Sequence, residues 1–128
     1  MEVSHTQFSF QISELTYHSF PYLVTVNSVL PAIIAGNAVL LKPSPQTPLT
    51  GERFALALTR AGVPENIIHV VHLPPNLTTY VVQHPLVDFV SFTGSVPGGR
   101  SVAESAATAT GFTGVALEVR VSCLKEIP

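Results

Sequence analysis

The feature that most narrows the folds open to this chain is a set of short apolar runs, each separated from the next by enough residues for a helix. The runs are Ala38-Val39-Leu40-Leu41, Ile67-Ile68-His69-Val70-Val71, Asp88-Phe89-Val90-Ser91-Phe92-Thr93 and Val115-Ala116-Leu117-Glu118-Val119. Each has strand length and is dominated by aliphatic and aromatic residues. Their apolarity is nearly continuous, the pattern of strands covered on both faces. The connecting segments are too long for hairpins, so neighbouring strands run parallel with right-handed crossovers. These runs predict an α/β fold, an open parallel sheet of about four strands with helices on both faces.

Helix signals fill the gaps. Ser19 is a plausible N-cap with Pro21 in the first turn, followed by Leu23, Val26, Leu30, Ile33 and Ile34 at helical spacing. Pro31 lies inside that pattern and is expected to kink it, and Gly36 supplies the stop. Thr47-Pro48 opens a second helix with Phe54, Leu58 and Ala61 on one side, Arg60 in its last turn and Gly62 at its end. Further helices are expected over 77–83 and 97–107, and residues 1–15 show no clear period.

Composition removes several functions. Of 128 residues, 6 are Lys or Arg and 8 are Asp or Glu, a net charge of −2. Six basic side chains cannot build a phosphate-neutralising surface, so no nucleic-acid partner is expected. Charged residues reach only 11% against about 25% in an average soluble domain. So few charges leave part of the outside uncovered, and self-association or packing against other protein is expected. Cys123 is the one cysteine, which excludes an internal disulfide and a multi-cysteine zinc site. The start, Met1-Glu2-Val3-Ser4-His5, lacks a basic signal-peptide region, so a cytoplasmic location is expected, and the sequon Asn76-Leu77-Thr78 is read as coincidental. The charge-free stretch 15–41 is broken by Asn27, Pro31 and Ala35-Gly36-Asn37, which argues against a membrane span.

In open α/β sheets ligands bind beyond the C-terminal strand ends. Those ends are 42–45, 72–76, 94–100 and the neighbourhood of Glu118. Gly94-Ser95-Val96-Pro97-Gly98-Gly99 joins a strand to a helix, where glycines let backbone approach a phosphate and the helix start attracts it. It is not the G-x-G-x-x-G fingerprint, and a tight turn explains the glycines equally well. Lys42, taken alone, reads as a side chain extending from an apolar surface to water. His69 and His72 are three apart on a strand and point to opposite faces, so no metal site is expected. No Ser/His/Asp arrangement follows from the spacing.

The motifs together resemble the NAD(P)-dependent aldehyde dehydrogenase superfamily. The likeness runs through Phe20-Pro21, Pro31-Ala32, Ala35-Gly36-Asn37-Ala38-Val39-Leu40-Leu41-Lys42-Pro43-Ser44-Pro45-Gln46-Thr47-Pro48-Leu49 and Ala61-Gly62-Val63-Pro64. It continues in His84-Pro85, Val87-Asp88, Phe92-Thr93-Gly94-Ser95 and Leu117-Glu118, in the family's order and spacing. The resemblance implies an incomplete Rossmann-like domain over 16–119, flanked by divergent segments 1–15 and 120–128. It puts Lys42 and Ser44 at the cofactor, NAD or NADP, with Lys42 on the adenosine ribose. Ser95 and the following amides would hold the pyrophosphate, with Gly94 and Gly99 giving room. Glu118 would be the general base, in a reaction where a cysteine thiolate attacks an aldehyde, hydride passes to nicotinamide and water releases the carboxylic acid.

The departures are as informative. Tyr17-His18-Ser19-Phe20-Pro21 has Ser19 where the family carries an oxyanion-stabilising asparagine, and Pro45 where many NAD users carry a ribose-binding glutamate. Pro74 replaces a frequent glycine, and Val119-Arg120-Val121-Ser122 replaces Leu-Gly-Gly-Lys. The family's nucleophilic cysteine belongs farther on, in a Gly-Gln-x-Cys context that Cys123 does not match. The expected function is that of an aldehyde dehydrogenase-like oxidoreductase fragment, inactive alone, whose small aldehyde is bound only by a full-length relative. The alternatives are a non-catalytic fragment that packs on full-length subunits and a misassembled gene model.

Overall fold

The structure is a computed structural model that describes residues 8–13 and 21–120. Strand and helix alternate: β1 (Phe8–Ser13), α1 (Pro21–Ile34), β2 (Ala38–Lys42), α2 (Pro48–Arg60), β3 (Ile68–Val70), α3 (Pro75–Val82), β4 (Val87–Ser95), α4 (Val96–Ala107) and β5 (Gly114–Arg120). A single 3-10 turn, Glu65–Ile67, leads into β3. All pairings are parallel and the order is β3-β2-β1-β4-β5. The chain steps outward from β1 to β3, then returns across the sheet to β4 and β5. The order therefore reverses between β1 and β4, the kind of crevice where such sheets take ligands.

The α/β reading of an open parallel sheet of about four strands holds. Five strands are present, and the one not expected is central: β1 pairs with both β2 and β4, setting Ile12 opposite Lys42 on one side and Phe92 on the other. Its sequence, Phe-Ser-Phe-Gln-Ile-Ser, does alternate with period two. Continuous apolarity was the wrong criterion for it, because pairing on both edges can hold a strand whose side chains are half polar.

Both helix stops follow from glycine. Gly36 sits at φ 87°, and the Gly36 and Asn37 N–H groups donate to the Ile33 and Ala32 carbonyls. Gly62, at φ 96°, ends α2 likewise, with bonds from Gly62 and Val63 to Thr59 and Leu58. Both are Schellman caps, which need a residue free to adopt positive φ. Pro31 does not end α1: the helix continues to Ile34, and Ala35 N–H donates to the Pro31 carbonyl at 3.0 Å.

Two cores sandwich the sheet. Val29, Val39, Leu41, Phe54 and Ile68 close one face beneath α1 and α2. Val82, Val90, Phe92, Val102 and Ala106 close the other beneath α3 and α4. Full burial of Leu41 or Phe92, each 1% exposed, contributes about 1.5–3 kcal/mol. The edges differ. β3 has three residues, whereas β5 has seven, and its residues Ala116 to Val119 are exposed.

Candidate functional site

The junction of β4 and α4 is the best-built feature at the C-terminal edge of the sheet. Gly94 is buried within β4, not in the turn after it, and Ser95 is the N-cap of α4. Ser95 Oγ accepts the Gly98 N–H at 3.2 Å. A helix start has orphan N–H donors, but here Pro97 has none and Ser95 occupies that of Gly98. By helix geometry the Val96 N–H is the remaining orphan donor of the first turn, beside the Ser95 hydroxyl proton and the positive end of the helix dipole.

Gly99 has a different reason to be glycine. A Cβ there would stand 2.6 Å from Val119 Cγ1 and 3.5 Å from Phe92 Cε1. Its hydrogen lets α4 lie close on β4 and β5, the packing task that falls to the third glycine of a dinucleotide fingerprint.

Beside the junction, α3 and α4 part into a slot of about 170 Å³ lined by Pro75, Thr78, Val82, Phe92, Gly98 and Ser101, among others. Thr78 Oγ1 donates to the Pro74 carbonyl at 3.1 Å, and Ser105 Oγ to the Ser101 carbonyl at 2.7 Å. Those two hydroxyls are bonded to their own helices, and the lining is mostly apolar, with Thr79 and Ser101 also on its wall. It went unread in the sequence. The available signal was small residues at helical spacing, Gly98, Ser101 and Ser105, facing Pro75, Thr78 and Val82.

The other expected site residues are distributed around this junction. Lys42 ends β2 and is 2% exposed, so it does not extend to water as a lone lysine was expected to. Ser44 is 4% exposed, and its Oγ accepts the Gln46 N–H at 3.3 Å, bracing the turn into α2. Lys42 and Ser44 both have polar partners, as buried polar groups must. A nucleotide reaching them has to displace what covers them. Glu118 lies on β5 opposite Thr93 and is exposed. By strand alternation it faces the α1 side of the sheet, whereas Val119 beside it faces α4. Ser19 lies outside the described residues.

β3 ends at Val70, so His72 lies beyond the strand, where its Nε2 is 2.9 Å from Glu52 Oε1. Both side chains are about half exposed, 49% and 52%, and such pairs contribute less than about 1 kcal/mol. Among the described residues no three His, Cys, Asp or Glu side chains group as metal ligands, and no helix is long and apolar enough to cross a membrane.

Comparison with known proteins bears on the fold and the family. The chain is 40% identical over 89 residues to 4-trimethylaminobutyraldehyde dehydrogenase A of Danio rerio, covering 70% of this chain and 18% of that one. It is 40% identical over 89 residues to betaine aldehyde dehydrogenase of Agrobacterium fabrum, again covering 70% and 18%. Among solved structures, succinic semialdehyde dehydrogenase from Streptococcus pyogenes in complex with NADP+ superposes with a TM-score of 0.81 at 25% identity, over 89% of this chain and 24% of that one. An NAD-dependent benzaldehyde dehydrogenase from Corynebacterium glutamicum gives 0.78 at 34% identity, over 89% and 25%. The chain thus spans about a fifth of the length of the curated relatives. Residues 12–121 match the model of the aldehyde dehydrogenase family, and the chain belongs to that family.

Proposed function

We propose that this chain is a dinucleotide-binding part of an aldehyde dehydrogenase-type oxidoreductase and does not oxidise aldehydes by itself. The observation that carries the reading is the β4–α4 junction, where the Ser95 cap and the helix start lie beside an apolar slot between α3 and α4. The fit to NAD or NADP is chemical. The Val96 N–H and the Ser95 hydroxyl would hold the pyrophosphate, the slot would take the adenine ring, and Lys42 with Ser44 would contact the ribose after uncovering. When bound, the cofactor supplies a nicotinamide that accepts hydride.

What the chain's own residues contribute is binding and orientation. Only two donors remain at the α4 start, so dinucleotide binding is weak. Glu118 would be the general base of the family's reaction, and the one cysteine of the sequence does not stand in the context of the family's nucleophile. Cys123 is five residues beyond it, outside any Gly-Gln-x-Cys context. A small aldehyde therefore binds only in a full-length relative. The uncovered surface leads the chain to self-associate or to pack with homologous subunits, and we place it in the cytoplasm. The experiment is calorimetric titration of NAD+ and NADP+ into the chain and into Lys42→Met, which keeps apolar bulk without the charge. Weak binding to the wild type, weaker still to the variant, supports the reading. No binding, or equal affinities, overturns it. Reduced cofactor forming with an aldehyde, and lost in Cys123→Ala, would overturn the claim of inactivity.

A further inference from the structure

We infer that the Glu52–His72 pair selects the dinucleotide: its carboxylate stands at the rim of the ribose contacts and favours a free 2′-hydroxyl, as in NAD, over a 2′-phosphate, as in NADP. This rests on the dinucleotide reading proposed above and gives that reading a residue that tells the two cofactors apart.

The place of the pair follows from the ends of two strands and one helix. The Val71 N–H donates to the Leu41 carbonyl at 2.9 Å, which carries the β2–β3 pairing one residue past β3. His72 therefore leaves the sheet beside the end of β2, where Lys42, Pro43 and Ser44 follow one another. From the other side comes α2. Its buried Gly51 lies so near this turn that a Cβ there would be 3.1 Å from Pro43 Cγ and 3.1 Å from Val70 Cγ1. Glu52 is the next residue, and its Oε1 is 2.9 Å from His72 Nε2. A carboxylate only accepts, so Nε2 donates, and the bond holds Glu52 toward the strand ends. Arg53 is about 100° farther round the helix, exposed and turned from the sheet. Three residues past His72, Pro75 begins the wall of the α3–α4 slot. The pair thus borders both places proposed for the nucleotide, the ribose contacts at Lys42 and Ser44 and the slot.

Charge then decides between the cofactors. NADP differs from NAD by a 2′-phosphate with about two negative charges near neutral pH. Lys42, 2% exposed, already has partners within the fold, whereas Glu52 is half exposed and meets the ligand through water. Beside a neutral imidazole the carboxylate keeps its full charge. Across about 10 Å of water it disfavours such a phosphate about threefold at low salt, where the Debye length is about 30 Å.

The test is calorimetric titration of NAD+ and NADP+ into the full chain above about pH 8, past the range in which an imidazole ordinarily gains its second proton. The readout is the ratio of the two dissociation constants, which a general loss of folding would not move. Wild type is expected to prefer NAD+ in about 10 mM salt and to lose most of that preference in about 1 M salt, where the Debye length is about 3 Å. Glu52→Gln keeps an acceptor for His72 without the charge and should shift the ratio about threefold toward NADP+ at low salt. Glu52→Lys should shift it by about threefold again, since a repelling charge becomes an attracting one. A wild type that prefers NADP+, or a ratio unmoved by Glu52→Gln or by salt, overturns Glu52 as the selecting group and leaves the dinucleotide site standing. A chain that takes up neither dinucleotide overturns that reading, and this inference with it.

Discussion

Replacing Gly99 with alanine tests how closely α4 is set against the sheet. The new Cβ would lie 2.6 Å from Val119 Cγ1, about 1 Å inside ordinary carbon–carbon contact. Relief has two routes. Val119 can leave its rotamer, at about 0.5–1.5 kcal/mol, or α4 can lift and loosen the packing around Phe92. Overpacking of this kind costs about 1–3 kcal/mol. Against it stands the gain of about 1 kcal/mol from replacing glycine by alanine inside a helix. Taking about 2 for the clash leaves a net loss of about 1 kcal/mol in the wild-type background. In a Val119→Ala background Cγ1 is gone, so the clash vanishes and the same substitution should stabilise by about 1 kcal/mol. The sign reverses, and the coupling between the sites is about 2 kcal/mol. Urea unfolding of all four proteins would read this as midpoint shifts of about half a molar in opposite directions. Equal shifts in both backgrounds would refute the account of Gly99 as a packing residue.

Three further expectations follow from single sites. Ser95→Asp should cap α4 as well as serine does, yet set a carboxylate where a pyrophosphate would lie; the urea midpoint should hold while dinucleotide binding measured by calorimetry disappears, and retained binding would remove the junction from the site. Leu41→Ala should cost about 2–5 kcal/mol because Leu41 is 1% exposed, whereas Ile34→Ala, at 84% exposure, should stay within about 0.5 kcal/mol in the same urea assay. Gly36→Ala should cost about 1 kcal/mol through backbone strain alone, since a Cβ there meets nothing within 4 Å, and Val119→Ala should not rescue it.

How far the sequence led depended on whether a residue's task is local. The caps at Gly36 and Gly62 could be read directly, because a helix stop needs only a positive φ at one place. Thr47-Pro48 likewise stands as N-cap and N1 of α2. The two-sided strand β2 could be read because burial on both faces leaves a continuous apolar run, and β4 because Val90 and Phe92 are buried in its middle, although Asp88 and Phe89 are exposed. β1 was hidden because its place in the middle of the sheet comes from pairing with residues about thirty and eighty positions away. The slot between α3 and α4 was hidden for a related reason: its lining is contributed by two helices, and neither carries an unusual residue.

The burial of Lys42 could not be foreseen from its neighbours, and it changes what the end of β2 can do. A lysine that reaches water is available to any passing anion, but one that is 2% exposed has already exchanged water for partners within the fold. In the proposed site its contribution to nucleotide binding would be the difference between two sets of bonds, those it gives up and those it makes. The same reasoning applies at the α4 start, where Ser95 already holds the Gly98 N–H and Pro97 has none. At both places the chain has spent on its own structure the groups that a ligand would use. A free helix start with an exposed lysine nearby would bind phosphate for general electrostatic reasons. On the proposed reading a nucleotide's adenine would enter the α3–α4 slot at the same time, and the apolar contacts there would offset the bonds given up at Lys42. An isolated pyrophosphate, lacking the ring, should accordingly show no measurable competition with NAD+ at concentrations where adenosine diphosphate does.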